Sequence, residues 1–133
     1  MAVFYRKYQC RSTDPKKNGK WYARALPVNY EGIESLADLI QQNTTVKRAD
    51  VLAVLSELSE AMKRLLEQGS AVRIPYVGSF KMGINTTPAE TKEQFTVKNI
   101  KNVHVLFQPA YASTAGGKVL TWCKDIELRE YNK

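Results

Sequence analysis

The sequence predicts an α+β fold in which two helices lie between short strands. Three observations predict it. Apolar residues recur at helical spacing between residues 33 and 68. Aromatic and β-branched residues form short runs on either side of that region. A long polar stretch with little periodicity, residues 83–102, separates two of the strand-like runs. With 133 residues the chain can form one domain with a modest core.

The N-terminal segment is predicted to form a β-hairpin. Residues 3–8 and 21–26 are rich in aromatic side chains, which favour strands. Residues 14–20 between them include Asp, Pro, Asn and Gly, the residue types that form turns. Pro27 and residues 29–32 separate this hairpin from the first helix.

The two helices are predicted from apolar residues that share one helical face. In the first helix these residues are Ile33, Leu36, Ala37 and Ile40. Residues 43–45 interrupt the pattern and offer an N-cap hydroxyl to the second helix, predicted over residues 46–68 and ended by Gly69. The apolar positions of the second helix are Val51, Leu52, Val54, Leu55, Leu58, Ala61, Met62, Leu65 and Leu66.

The apolar arc of the second helix is wider than one packing partner requires. It covers about half of the circumference, whereas a single packing stripe needs roughly 100°. The width predicts contact on two sides, with the first helix and with a second copy of the chain. The alternative is a monomer in which the N-terminal hairpin covers the additional arc.

The C-terminal half is predicted to be mostly β-structure. Residues 72–81 alternate as one strand with a bend at Gly78, and residues 103–107 alternate as its return strand. Gly116 and Gly117 indicate a further turn. Residues 118–124 are predicted to form a short helical turn, and residues 125–131 a final strand.

Positive charge is concentrated in the predicted strands and loops. The net charge is +7. Residues 1–24 hold seven Lys/Arg and one acid, whereas residues 25–67, which include both helices, hold four bases and seven acids. Residues 68–124 again hold seven bases against two acids. A polyanion is therefore expected to meet the β-rich part of the molecule.

Several classes of function and location are not expected. No stretch is apolar enough to span a membrane, and the N-terminus lacks the apolar run of a signal peptide, so we expect a cytoplasmic protein with no membrane partner. Cys10 and Cys123 are then expected to be reduced thiols. No catalytic constellation, metal-ligand spacing or phosphate-loop motif is evident, which predicts a protein without enzymatic activity, cofactor or small-molecule substrate.

Residues 33–109 resemble the bacterial HU/integration-host-factor family of histone-like DNA-binding proteins. The resemblance lies in the order of two helices, Gly69 and a strand, and in two short motifs. Residues 76–80, Tyr-Val-Gly-Ser-Phe, stand where the family has G-F-G-x-F, and residues 107–109, Phe-Gln-Pro, stand where it has F-K-P. The long N-terminal hairpin and the missing F-K-P-G-K helix indicate a longer, divergent branch of the family.

The resemblance implies an HU-like fold with two helices packed under a β-sheet and a protruding β-arm at residues 82–102. It divides a single domain into an added hairpin at residues 1–28, the core at 33–109 and a C-terminal extension at 110–133, whose strand packs against the N-terminal one. It also implies an intertwined homodimer that belongs to the nucleoid. The two arms of that dimer would clasp duplex DNA along the minor groove and condense it with little sequence specificity.

Candidate DNA contacts are exposed cations on the strands and loops. The arm residues are Lys81, Lys92, Lys98 and Lys101; Arg73 and Lys118 are assigned to the saddle beneath the arms; and Lys16, Lys17 and Lys20 extend the phosphate track if the hairpin lies on the same side.

The arm departs from the family pattern at its tip. It contains no arginine, its one proline, Pro88, precedes the midpoint, and Glu90 and Glu93 lie near the expected tip. No intercalating residue is therefore assigned, and the acidic tip leaves open a dimeric protein-interaction scaffold with reduced DNA binding. Binding of RNA or single strands through Trp21, Tyr22 and Trp122 is a third alternative. His104, the only histidine, is expected to be structural.

Overall fold

The computed structural model describes residues 2–132, which form two α-helices and eight strands. The N-terminal elements are β1 (Ala2–Gln9), β2 (Trp21–Leu26), α1 (Ile33–Asn43) and α2 (Arg48–Glu67). The C-terminal elements are β3 (Val72–Ile74), β4 (Gly78–Thr86), β5 (Ile100–Pro109), β6 (Tyr111–Thr114), β7 (Gly117–Leu120) and β8 (Glu127–Glu130). Short 3-10 turns occupy Val97–Asn99 and Thr121–Cys123. This arrangement confirms the predicted α+β class.

The strands form three separate sheets. In the first, which we call the terminal sheet, β1 lies between β2 and β8; it pairs antiparallel with β2 and parallel with β8. The pairing of β1 with β8 confirms that the strands at the two ends of the chain pack together. The second sheet, the central sheet, has the order β3-β4-β5 and is antiparallel. The third is the β6–β7 hairpin, which turns through Ala115 and Gly116.

The start of α2 differs from the prediction. The helix begins at Arg48, and its N-cap residue Lys47 makes no side-chain capping bond. The Thr44 hydroxyl lies too early in the chain to cap α2. It donates instead to the Ile40 carbonyl at 2.8 Å, which closes α1. Arg48 anchors the start of α2 to α1, since its guanidinium forms ion pairs with Glu34 and, at 2.7 Å, with Asp38.

The prediction of one continuous strand over residues 72–81 is wrong, because the chain reverses direction between Ile74 and Gly78. The Val77 N–H donates to the Ile74 carbonyl at 3.1 Å, and Tyr76 adopts a φ of +68°. Pro75 cannot donate to a strand ladder, and Gly78 has a φ of +150°, which favours glycine. The turn was missed because the alternation of apolar residues continues on both sides of it.

The excursion between the strands of the central sheet is shorter than predicted. Residues 83–86 extend β4 and residues 100–102 begin β5, so the connecting segment is residues 87–99 rather than 83–102. The sequence did not indicate that residues 83–86 and 100–102 belong to strands, because many of their side chains are polar. Backbone pairing between β4 and β5 places them in the sheet.

Little of the apolar surface is buried within the chain. Only Ala37, Val51 and Leu66 are buried apolar residues among those described, and all three lie on the helices. The accessible surface is 11652 Å² for a 15.1 kDa chain. A folded monomer of that mass is expected to expose about 7,100 Å². The large excess means that many apolar side chains lack an intramolecular partner.

Replacement of Gly78 by alanine is expected to destabilise the central sheet. An added Cβ would lie against the Gln108 carbonyl oxygen and 2.7 Å from Phe107 Cε2, in a backbone conformation that disfavours side chains. We predict a loss of at least about 2 kcal/mol in the free energy of unfolding, measured by urea denaturation. Gly116→Ala is the control, because its Cβ would meet nothing within 4 Å. Equal stability of the two variants would contradict this assignment.

Candidate nucleic-acid interface

The β4–β5 ribbon of the central sheet has one apolar face. Residues directly opposite each other in an antiparallel pair point to the same side of the sheet. The pairs on this face are Phe80 with Phe107, Met82 with Val105, and Ile84 with Val103. The two phenylalanine rings pack with their centroids 4.8 Å apart. Farther along the ribbon the face remains open, with Ile84 54% and Val103 61% exposed.

The opposite face of the central sheet is mostly polar and carries cations. It is formed by Arg73, Ser79, Lys81, Asn85, Asn102, His104 and Gln108, interrupted by Gly83 and Leu106. Arg73 is opposite Ser79, and Ser79 and Lys81 point to the same side of β4. Two of the predicted contact residues, Arg73 and Lys81, therefore share one face.

His104 and Leu106 pack across the ribbon over Gly83. A Cβ at Gly83 would lie 2.7 Å from His104 Nε2 and 2.8 Å from Leu106 Cδ1, so a larger residue would displace both side chains. Nδ1 of His104 is buried and has no hydrogen-bond partner among the described residues. This packing agrees with a structural role for His104.

Residues 87–99, which connect β4 to β5, form the tip of the arm, and hydrogen bonds between Thr87 and Asn99 join the two ends of this tip. The Thr87 N–H donates to the Asn99 carbonyl at 2.7 Å, and Asn99 Nδ2 donates to Thr87 Oγ1 at 3.2 Å. Asn99 Oδ1 also accepts the Thr96 N–H at 3.0 Å, and the two residues form a capping box around the 3-10 turn. The tip is thus a loop that is held by hydrogen bonds at the end of a two-stranded ribbon.

The predicted arm lysines all lie on this ribbon and its tip. Lys81 is on β4, Lys92 is in the tip loop, and Lys98 is in the 3-10 turn. Lys101 is on β5 at a register shift next to Asn85 and Thr86. All four are exposed, and within residues 2–132 none forms an ion pair, even though Glu90 and Glu93 lie in the same tip loop.

The remaining predicted contacts lie on other elements. Lys118 is on β7, outside the central sheet, where its Nζ lies 4.4 Å from the centre of the Tyr111 ring and 3.2 Å from its hydroxyl. Tyr111 and Arg73 line the same groove of about 350 Å³ at the base of the ribbon. Lys16, Lys17 and Lys20 lie in the loop between β1 and β2, and their exposed side chains carry no ion pair in the described chain.

Sequence reasoning missed the amide groups of the polar face. Asn85 and Asn102 are opposite each other on β4 and β5 and are both exposed. The alternation of apolar residues from Phe80 through Ile84 continues past Gly83, and it could have indicated that the strand reaches Asn85.

Within residues 2–132 no cluster of three or more His, Cys, Asp or Glu side chains is placed to hold a metal ion. No described helix is both long and apolar enough to cross a membrane.

Residues 1–116 match the family described as HU-HIG, an HU domain fused to a winged helix-turn-helix, an Ig or a glycine-rich motif. The chain belongs to the HU-HIG family. This membership confirms the resemblance to HU proteins, and the fold agrees with it.

The solved structures that match this HU-HIG chain include the following two. One is a candidate bacterial DNA-binding protein from Bacteroides vulgatus ATCC 8482, with a TM-score of 0.63 and 12% identity over 97% of this chain and 48% of that one. The other is the Anabaena HU–DNA cocrystal structure, with a TM-score of 0.42 and 16% identity over 59% of this chain and 85% of that one. No curated protein matches. The chain spans about half the length of the Bacteroides vulgatus protein, and that likeness shows the fold.

Loss of the Asn99 side chain is expected to loosen the arm tip. Asn99→Ala removes bonds to Thr87 and Thr96, which we estimate to contribute about 1–2 kcal/mol to closure of the loop. Trypsin cleavage after Lys92 and Lys98 should therefore accelerate about tenfold. Asn102→Ala is the matched control, because its exposed side chain makes no hydrogen bond within residues 2–132. Identical cleavage rates in the two variants would exclude this role for Asn99.

Proposed function

We propose that this HU-HIG chain is a histone-like architectural protein without enzymatic activity that binds duplex DNA as a homodimer. The observation that carries the proposal is the two-sided central sheet, whose long ribbon has a cationic polar face and an apolar face. The chain would act as one HU-like domain associated with the nucleoid in the cytoplasm, where it condenses DNA.

The polar face and the tip supply contacts for the phosphate backbone. A two-stranded ribbon is narrow enough to follow a groove of duplex DNA. Lys81, Lys92, Lys98 and Lys101 lie along it as exposed point charges without carboxylate partners, and each phosphate that they neutralise releases counterions. Arg73 would extend this track to the base of the sheet, with Lys118 beside the groove that Arg73 and Tyr111 line.

Sequence specificity is expected to be low. The amides of Asn85 and Asn102 are the main groups on the ribbon that could pair with base edges, whereas the cations contact phosphates, which carry no sequence information. Pro88 lies at the beginning of the tip loop, away from its centre, so the mode of binding that we propose requires no wedge between base pairs.

The apolar face and the helices support the homodimer. On α2, Val54, Leu58 and Leu65 are 65%, 40% and 44% exposed and are available to a second copy. On the ribbon, Val105 and Phe107 are 52% and 46% exposed. Each chain exposes several thousand Å² more than a folded monomer of its mass, which is enough to supply its half of an obligate homodimer interface. A second copy would therefore complete the core that one protomer lacks.

The dimer is tested by placing a charge on the exposed stripe of α2. Wild-type protein should sediment at twice the 15.1 kDa chain mass. Val54→Glu should weaken the dimer at least about a hundredfold, because an unpaired carboxylate would be buried in the interface. Ser56→Glu is the control, since exposed residue 56 lies outside the apolar arc, about 160° around the helix from residue 54. Monomeric wild-type protein at micromolar concentration would contradict the homodimer.

Duplex binding is tested through its dependence on salt. The logarithm of the association constant should fall linearly with log salt. Combined replacement of Lys81, Lys92, Lys98 and Lys101 by glutamine should lower the affinity and flatten the slope by about 0.9 for each phosphate that is no longer neutralised. The control is Lys47→Gln with Lys63→Gln on the helical part, both exposed and unpaired in the described chain. Absence of duplex binding at low salt would refute the proposal.

The alternative is a dimeric protein-interaction scaffold, which the exposed Glu90 and Glu93 at the tip favour. In that case the dimer would form while the arm variants and the wild type would bind duplex equally poorly. A protein partner retained after nuclease treatment would then support the scaffold.

A further inference from the structure

The terminal sheet has a face that combines arginine and tyrosine. In the register of β1 against β2, Arg6 is opposite Arg24 and Tyr8 is opposite Tyr22, so the four side chains point to the same side. All four are exposed, including Tyr8 at 42% and Tyr22 at 40%. We call these four residues the Arg–Tyr face. It lies outside the central sheet and its arm.

The side chains of the Arg–Tyr face lie against aromatic rings. The guanidinium of Arg24 lies 5.8 Å from the centre of the Tyr8 ring, and that of Arg6 lies 5.7 Å from the centre of the Tyr131 ring. Tyr8 and Tyr22 are neighbours, with ring centroids 6.1 Å apart and planes inclined by 30°. The result is a row of flat aromatic and guanidinium groups across two strands.

The two arginines are a like-charged pair without a counter-ion. Like charges directly opposite each other on neighbouring strands are destabilising. Other cations of the same sheet have partners: Lys7 forms an ion pair with Glu130 at 2.9 Å, and Arg129 with Glu127 at 2.9 Å. The side-chain hydrogen bond to Glu130 and the charge of that residue raise the pKa of Lys7. Within residues 2–132 no carboxylate forms an ion pair with Arg6 or Arg24.

Further positive charge lies next to the Arg–Tyr face. The loop that joins β1 to β2 begins one residue pair beyond Tyr8 and Tyr22, and it carries Arg11, Lys16, Lys17 and Lys20. Its one acid, Asp14, accepts the backbone N–H of Lys16 at 3.0 Å within the turn. An anionic ligand on this face would therefore meet cations on the sheet and on the loop.

We propose that the Arg–Tyr face is a second nucleic-acid site, which binds single-stranded nucleic acid. A phosphate between Arg6 and Arg24 would supply the missing counter-charge and relieve their repulsion. Tyr22 and the guanidinium planes offer surfaces on which bases stack, and only unpaired bases present their faces in this way. A duplex, with its bases stacked inside, would use the arginines but not the rings. This site is separate from the arms that we assign to duplex DNA.

The proposal is tested with the full chain and fluorescent oligo(dT), oligo(U) and a duplex. Arg6→Gln with Arg24→Gln should lower the affinity for the oligonucleotides at least about tenfold and leave duplex affinity within about twofold. Tyr22→Leu should also weaken oligonucleotide binding. Replacement of the four arm lysines by glutamine should lower the affinity for the duplex and leave the affinity for the oligonucleotides nearly unchanged. Comparison of oligo(dT) with oligo(U) shows whether DNA or RNA is the preferred strand.

Loss of folding is separated from loss of binding by thermal denaturation. Because Arg6 and Arg24 repel each other, their replacement by glutamine should leave the melting temperature unchanged or raise it. Lys47→Gln with Lys63→Gln, which removes the same charge elsewhere, should bind the oligonucleotides like wild type. The proposal is overturned if the oligonucleotides do not bind, if the arginine variant binds them normally, or if its affinities for oligonucleotide and duplex fall equally.

Discussion

The register of β4 against β5 determines what the central sheet can do. Because Phe80, Met82 and Ile84 are opposite Phe107, Val105 and Val103, every large side chain of one face is apolar. The other face receives Lys81, the two asparagines and His104 by the same pairing. A shift of β5 by one residue against β4 would place polar and apolar side chains together on each side of the sheet, so neither a polar face nor an apolar face would remain. Gly78 and Gly83 permit this register, since a side chain at either position would collide with β5.

The apolar face is one part of a larger apolar surface that the chain leaves exposed. With only Ala37, Val51 and Leu66 buried among its described apolar residues, the chain cannot offset the conformational entropy of folding by its own core. Part of the wide apolar arc of α2 and the open face of the ribbon are exposed for the same reason, because neither packs against another apolar surface of the described chain. We infer that folding and association are coupled, and that the acidic helices form the platform from which the basic strands project.

The elements that depend on local pattern were predictable, whereas those that depend on pairing were not. The period of α2 and the aromatic runs of β1 and β2 are properties of adjacent residues, so the sequence indicates them directly. The reversal at Pro75 and Tyr76 was hidden, because alternation continues on both sides of the turn. The lysines of the arm were identifiable as exposed cations, and their contacts with DNA stay a prediction. The Arg–Tyr face depends on register between strands, which no local pattern encodes.

The most direct test labels both faces of β5 with a thiol reagent, in a background where Cys10 and Cys123 are serine. Val105→Cys lies on the apolar face and Gln108→Cys on the polar face. If the second copy covers one face and DNA the other, Val105→Cys reacts slowly with or without duplex. Gln108→Cys then reacts rapidly until duplex protects it. Rapid labelling of both thiols without DNA, or protection of Val105→Cys alone by duplex, would contradict the division of the sheet into a dimer face and a DNA face.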